Sequence, residues 1–79
     1  MPRYFFDIVD GEDLPDLHGS EHADLDAARI ESIRYSGEVL REMPERFWNA
    51  EKWLMTVSDA RRIPLFTLKF EAAPAPARS

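Results

Sequence analysis

Alternating hydrophobic and polar positions mark three segments of the chain as β-strands. The first, residues 3–9, is rich in aromatic and β-branched residues, which fit a pleated and half-buried surface. Residues 52–57 and 65–70 also alternate, and they flank a short polar loop over residues 59–62, as in a β-hairpin. Because successive side chains of a strand point to opposite faces, each run has one inward-facing set. These sets are Tyr4, Phe6 and Ile8; Trp53, Met55 and Val57; and Phe66, Leu68 and Phe70.

A segment with helical periodicity lies between the first strand and the hairpin. Asp24 is a typical N-cap residue, and Pro44 removes a backbone donor, so we expect a helix from residue 25 to about residue 43. Its apolar and small residues form one stripe: Leu25, Ala28, Ser32, Ser36, Val39, Leu40 and Met43. We interpret residues 44–50 as a connection and residues 10–16 as turns. A short additional strand near residues 17–21 is an alternative that Gly19 and Ser20 weaken.

Together these elements predict an α+β domain in the order β(β)αββ. One amphipathic helix packs on a small antiparallel sheet of three strands, or of four if residues 17–21 add one. We expect the first strand to lie beside the last, so that every neighbouring pair is antiparallel. Residues 1–71 form this single domain, and residues 72–79, which have little to bury, form a flexible C-terminal tail.

The composition excludes several classes of function. Acidic residues outnumber basic ones by 15 to 10, which argues against nucleic acid as a ligand because phosphate binding needs clustered positive charge. The absence of cysteine excludes disulfides, thiolate metal sites and cysteine nucleophiles. No run approaches the roughly 18 apolar residues of a membrane span, and the opening residues are unlike a signal peptide. We therefore expect a cytoplasmic protein that binds neither nucleic acid nor membrane.

Few residues suggest the chemistry of an active or metal site. His18 and His22 are four apart, a spacing that places two imidazoles on one helix face for a metal, but Gly19 lies between them. Ser20 beside His22 lacks the strand-to-helix elbow and the oxyanion donors of nucleophilic catalysis. We therefore interpret the histidines as solvated and predict no enzyme activity, no catalytic residue, no cofactor and no metal.

Four motifs occur together along the chain: Pro2-Arg3-Tyr4-Phe5-Phe6, Asp10-Gly11, Asp24-Leu25-Asp26-Ala27-Ala28-Arg29 and Pro64-Leu65-Phe66-Thr67-Leu68. Over residues 2–71 this combination resembles a family of very short, uncharacterised bacterial proteins, classed as a domain of unknown function. The resemblance implies the same fold and a cytoplasmic location, and it implies no activity. Members of the family often have His where this chain has Asp7, and Gly in the hairpin loop where this chain has Arg61-Arg62.

A shorter pattern is similar to HicB-type antitoxins. It consists of the first strand, Asp10-Gly11, Pro15-Asp16-Leu17-His18-Gly19 and an acidic helix start. In those proteins a comparable strand-turn-strand-helix unit neutralises a partner ribonuclease. The resemblance implies a regulator whose acidic segment, residues 10–26, masks a basic protein partner.

These observations predict a small non-enzymatic protein-interaction module that self-associates as a homodimer. A domain of this size buries only about 60% of its unfolded surface, so association would add stability. We expect the interaction surface to include apolar residues outside the core and one glycine: Phe5, Val9, Ile30, Gly37, Leu54 and Leu65. The antitoxin-like regulator is one alternative. The other is a small metal- or ligand-binding domain that uses His18 and His22, or an aromatic cluster of Phe47, Trp48 and Trp53.

Overall fold

The fold is a five-stranded antiparallel sheet with two helices, and the computed structural model describes residues 1–76 of it. The strands are β1 (Arg3–Val9), β2 (Asp13–Leu14), β3 (Ser20–Glu21), β4 (Lys52–Ser58) and β5 (Pro64–Glu71). The helices are α1 (Leu25–Glu42) and α2 (Pro44–Ala50). The α+β class is confirmed, with five strands and two helices where three or four strands and one helix were predicted.

The order of the long strands is β1-β4-β5, so the prediction that the first strand lies beside the last is wrong. β1 pairs with β4, with Phe6 opposite Val57, and β4 pairs on its other side with β5. Trp53, Met55 and Val57 of β4 are at most 2% exposed, whereas the inward residues of β5 are half-buried or exposed. The central position therefore belongs to the strand with the most deeply buried apolar side chains.

The core lies between α1 and the inward faces of β1 and β4. The inward sets predicted for these strands are buried as expected. Against them α1 places Ala28, Ser32 and Ser36, whose small side chains let the helix axis approach the sheet closely. The Ser36 hydroxyl lies 3.6 Å from the sulfur of Met55, and the Ser32 hydroxyl donates to the carbonyl of Arg29 at 2.6 Å. The small residues of the helical stripe thus set the distance between the two layers.

Residues 44–50 form helix α2, so their interpretation as a mere connection is wrong. Pro44 both ends α1 and begins α2, because a proline without an N–H suits the first turn of a helix. α2 ends at Glu51, which has a left-handed backbone (φ 58°) and donates its N–H to the carbonyl of Phe47 at 2.6 Å. This turn leads the chain directly into β4.

Short strands and one carboxylate cover the outer edge of β1. β2 pairs with Ile8 and Val9, and β3 pairs with Arg3 and Tyr4. Between them, Asp16 accepts the backbone N–H of Phe6 at 3.1 Å and those of His18 and Gly19 at 3.2 and 2.8 Å. Together, the Asp16 side chain and the two short strands occupy backbone N–H and C=O groups along this edge, so it offers no long unpaired stretch to another strand.

Gly19 permits the close return of this segment to β1. It has a left-handed backbone (φ 69°), and a Cβ at this position would lie 2.7 Å from the carbonyl oxygen of Tyr4. Of the short strand considered as an alternative near residues 17–21, only Ser20–Glu21 forms, directly after this glycine.

The C-terminal segment begins in contact with the fold. Ala72 donates its N–H to the carbonyl of Glu51 at 3.2 Å and packs against the core, while residues 73–76 are exposed. Residues 77–79 of the predicted tail lie outside the described residues. Within residues 1–76, no helix has the length and hydrophobicity needed to cross a membrane.

We predict that Asp16→Ala lowers the free energy of unfolding by about 1–3 kcal/mol, because it leaves three backbone donors without their acceptor. Asp16→Asn, which keeps one acceptor oxygen, should cost less. Urea unfolding followed by circular dichroism measures both. Asp13→Ala in the same acidic segment is the matched control, and an equal loss there would contradict the assigned role of Asp16.

Candidate interaction surface

An apolar groove lies between α1, α2 and β5, where the core is not covered. We call it the β5 groove. Two adjoining hollows form it and share Leu40 and Phe70. Its apolar lining residues are Ile33, Leu40, Pro44, Phe47, Trp48, Trp53, Leu68 and Phe70. Ile33 lines one hollow and Trp48 the other, and each is 63% exposed; Phe70, which lines both, is 51% exposed.

The aromatic rings of α2 and β5 form one end of this groove. The ring of Phe47, which is buried, meets those of Trp48 and Phe70 edge-on, with centroids 5.3 and 5.0 Å apart. Of the predicted aromatic cluster, Phe47 and Trp53 therefore belong to the core and Trp48 to the surface. The indole N–H of Trp53 is buried, and no acceptor for it lies among residues 1–76.

A salt bridge between Asp10 and Arg46 attaches α2 to the end of β1. The Nε and Nη2 atoms of Arg46 donate to the two carboxylate oxygens of Asp10 at 2.9 and 3.0 Å. Asp10 is 6% exposed, and Arg46 also reaches Glu12 at 3.4 Å. The hydrogen bonds from Arg46 lower the pKa of Asp10 below its ordinary 3.8, although burial alone would raise it. Together with the buried ring of Phe47, this pair holds α2, which forms one wall of the groove, against the sheet.

β5 forms the other wall, and its outer edge is open. The strand has eight residues, and no other strand of residues 1–76 pairs with that edge. Leu65 is 41% exposed at the start of the strand. An apolar groove and an unpaired strand edge thus lie side by side.

The predicted interaction residues fall on two different sides of the domain. Val9, Leu54 and Leu65 lie on the sheet face opposite α1, where Val9 and Leu54 are direct cross-strand neighbours. Ile30 and Gly37 are exposed on α1, which packs on the other face of the sheet. The structure therefore does not bring the six residues into one surface.

Phe5, the remaining predicted residue, is covered by a side chain from the hairpin loop. The guanidinium of Arg62 lies 3.7 Å from the ring centroid of Phe5, and its nitrogens donate to Asp7 at 3.2 Å and to the carbonyl of Asp16 at 2.8 Å. Arg62 has a left-handed backbone (φ 66°), a conformation that glycine adopts more readily than other residues. Asp7 and Arg62 thus form an ion pair that joins β1 to the hairpin loop.

The two histidines are separated in their surroundings. His18 is exposed, whereas the ring of His22 lies against those of Tyr4 and Phe6, with centroids 6.1 and 5.6 Å apart. Nε2 of His22 is 2.9 Å from the hydroxyl of Ser20. Within the described part of the chain, no three His, Asp or Glu side chains lie close enough together to hold a metal ion.

Sequence reasoning placed Phe70 in the core and Trp48 in an aromatic cluster, and it did not include Ile33 in the interaction surface. The width of the predicted sheet could have indicated the groove, because one helix was predicted to cover a sheet of at least three strands. A helix with its side chains is about 10–12 Å wide, and strands lie about 4.8 Å apart. One strand was therefore bound to remain partly uncovered.

Fold and surface together define a small two-layer α+β domain with one closed and one open sheet edge. The chain belongs to the DUF6894 family, a domain of unknown function, whose model matches residues 3–71. No curated protein and no solved structure matches the chain. The expected membership in an uncharacterised family is thus confirmed, and the function is unknown.

We predict that Asp10→Asn lowers the free energy of unfolding at pH 7 by about 1–2 kcal/mol, because a charged hydrogen-bonded pair is lost. Since the pKa of Asp10 is lowered in the folded state, its contribution is complete above the ordinary value of 3.8 and is lost as the pH falls through the lowered value. The difference between the wild type and Asp10→Asn should therefore shrink towards zero in acid.

Urea unfolding curves at pH 7, 4 and 2.5 measure this difference. Asp13→Asn serves as the control, since Asp13 is exposed and carries the same charge in the same segment. A difference that is constant with pH would contradict the role assigned to Asp10.

Proposed function

We propose that this domain is a small non-enzymatic protein-interaction module that acts as a homodimer. The observation that carries the proposal is the β5 groove, in which Ile33 in one hollow, Trp48 in the other and Phe70 in both expose more than half of their surface. Contiguous exposed apolar surface marks interaction sites in monomeric proteins. A cytoplasmic location is part of the proposal.

The energetics of so small a core also support association. Each Å² of apolar surface removed from water contributes about 25 cal/mol, and the groove holds apolar surface that α1 and α2 leave exposed. The buried indole N–H of Trp53 is a further cost in the isolated chain, because buried donors normally have an acceptor. A partner that covers the groove would remove its exposed apolar surface from water.

The lining of the groove favours binding over catalysis. Its polar members are Ser36, Arg41 and Lys69, and the first of these already contacts the sulfur of Met55. Apolar walls with few converging polar groups suit a hydrophobic partner surface.

The antitoxin-like alternative requires free carboxylates between residues 10 and 26. Several of them have partners within the chain: Asp10 and Glu12 bind Arg46, Asp16 accepts backbone N–H groups, and Asp24 caps α1 by accepting the N–H of Ala27 at 2.8 Å. A basic partner would have to compete with these bonds, and we therefore favour the homodimer.

We predict that light scattering at tens of micromolar gives twice the chain mass of 9.2 kDa for the wild type. Ile33→Glu should shift the protein to the monomer, because it places a charge in the groove. Ile30→Glu is the matched control: the residue is equally apolar and exposed on the same helix but lies outside the groove.

Circular dichroism should show both variants folded, since neither side chain is buried. A wild type that is monomeric would overturn the proposal. A dimer that is broken by Ile30→Glu and not by Ile33→Glu would move the interface away from the groove to the outer face of α1.

A further inference from the structure

We propose that two copies of the chain join through their β5 edges, in an antiparallel pairing with a two-fold axis at Leu68. The inference rests on the proposed self-association and specifies its interface and register. It would make one continuous sheet from the sheets of both copies.

The contrast between the two sheet edges supports this interface. The β1 edge is occupied by β2, by β3 and by the carboxylate of Asp16. The β5 edge has no corresponding cover among residues 1–76 and runs for eight residues, with Pro64 at its start and Lys69 as its only basic side chain. Long, apolar and unpaired edges are templates for pairing with another strand. Here such an edge is present on one side only.

The hydrogen-bond phase of β5 shows which backbone groups are available. In an antiparallel pair, residues alternate between those that bond across the ladder and those whose N–H and C=O point away. Ala72 donates to Glu51, and the register continues with Phe70 opposite Trp53 and Leu68 opposite Met55. Phe70 and Leu68 therefore bond to β4, and the main-chain groups of Thr67, Lys69 and Glu71 point to the open edge.

The close contact between two threonine hydroxyls agrees with this phase. Oγ1 of Thr56 and Oγ1 of Thr67 are 3.2 Å apart across the β4–β5 pair. Side chains come closest at the positions that do not bond across the ladder. Thr67 thus directs its backbone N–H and C=O outward.

Only a few two-fold registers bring these outward groups together. With the axis at Leu68, Thr67 faces the partner's Lys69 and Lys69 faces the partner's Thr67. In both pairs the outward N–H and C=O groups of one chain can hydrogen-bond with those of the other. An axis at Lys69 places two like charges directly opposite each other, which is destabilising. An axis at Thr67 faces Lys69 with the partner's Leu65, beside the irregularity of the β5 ladder near Ser58. An axis at Phe70 faces Lys69 with the partner's Glu71, but it places Thr67 opposite the partner's Ala73, beyond the end of β5. Only the axis at Leu68 gives two outward pairs, Thr67 with Lys69 in both directions, that lie within the strand, away from the irregularity and without facing like charges.

The same register matches the apolar side chains on the helix side of the sheet. Leu68 lies opposite the partner's Leu68, and Phe70 lies opposite the partner's Phe66. Phe66 and Leu68 are half-buried and Phe70 is 51% exposed in the single chain. Cross-strand aromatic pairs add to sheet stability. Leu68 and Phe70, which line the β5 groove, thus face apolar side chains of the partner.

A single introduced cysteine tests the register, because the chain has none of its own. Leu68 and the partner's Leu68 form a position without ladder bonds, where the Cα atoms lie about 4.5 Å apart, within the range of a disulfide. Leu68→Cys should therefore give a covalent dimer in most of the protein under mild oxidation. Thr67→Cys is the matched control: its own counterpart lies diagonally, about 7–8 Å away, and should cross-link poorly.

Thr67→Pro provides a second test that does not depend on a thiol. Its N–H points outward, so proline removes a bond of the proposed interface and none of the β4 ladder. We expect a folded monomer by circular dichroism and light scattering.

The outcomes separate this inference from the proposed function. A wild-type dimer with cross-linking at Leu68→Cys and a monomeric Thr67→Pro supports both. A wild-type dimer that cross-links preferentially through Thr67→Cys, or through neither, overturns the β5 register and leaves self-association standing. A wild-type monomer overturns both.

Discussion

The packing of α1 across β1 and β4 is the constraint on which the rest of the structure depends. Ala28, Ser32 and Ser36 bring the helix close to the sheet, and two of the largest fully buried side chains among residues 1–76, Met55 and Val57, belong to β4 in the same core. A helix about 10–12 Å wide covers little more than two strands at a spacing of about 4.8 Å. Because the sheet has one further long strand, the same close packing that completes the centre of the core leaves β5 at its margin.

Polar contacts attach the connecting segments of the chain to the packed helix and sheet. The Asp10–Arg46 pair attaches α2 at the end of the core, and Asp16 attaches residues 15–19 to the edge of β1. Arg62 joins the hairpin loop to Asp7 and covers Phe5. Each of these contacts links segments that are far apart in the chain. The sequence alone suggests that the acidic residues form a solvated loop, but in the structure Asp10 and Asp16 stabilise the fold. What they leave free for a partner is chiefly apolar, at β5.

The two edges of the sheet therefore differ, and the proposed association uses the open one. One sheet edge is closed by two short strands and a carboxylate, and the other presents Thr67, Lys69 and Glu71 beside the exposed rings of the groove. A small acidic domain with a thin core gains stability by covering such an edge. The proposed self-association through β5 is compatible with the family's unassigned function.

The sequence by itself determined the α+β class, the three long strands, the first helix with its Asp24 cap, and the inward faces of β1 and β4. These features follow from local periodicity and capping, which each segment carries alone. The tertiary structure decided the strand order, helix α2, the closed edge of β1 and the open groove at β5. Those depend on contacts between distant residues, such as Asp10 with Arg46 and Asp16 with Phe6, and on the width of one helix against a sheet. No local pattern in the sequence shows which strands the helix covers. Only the tertiary structure shows that, among residues 1–76, β5 is the strand with an unpaired edge and a partly exposed inner face.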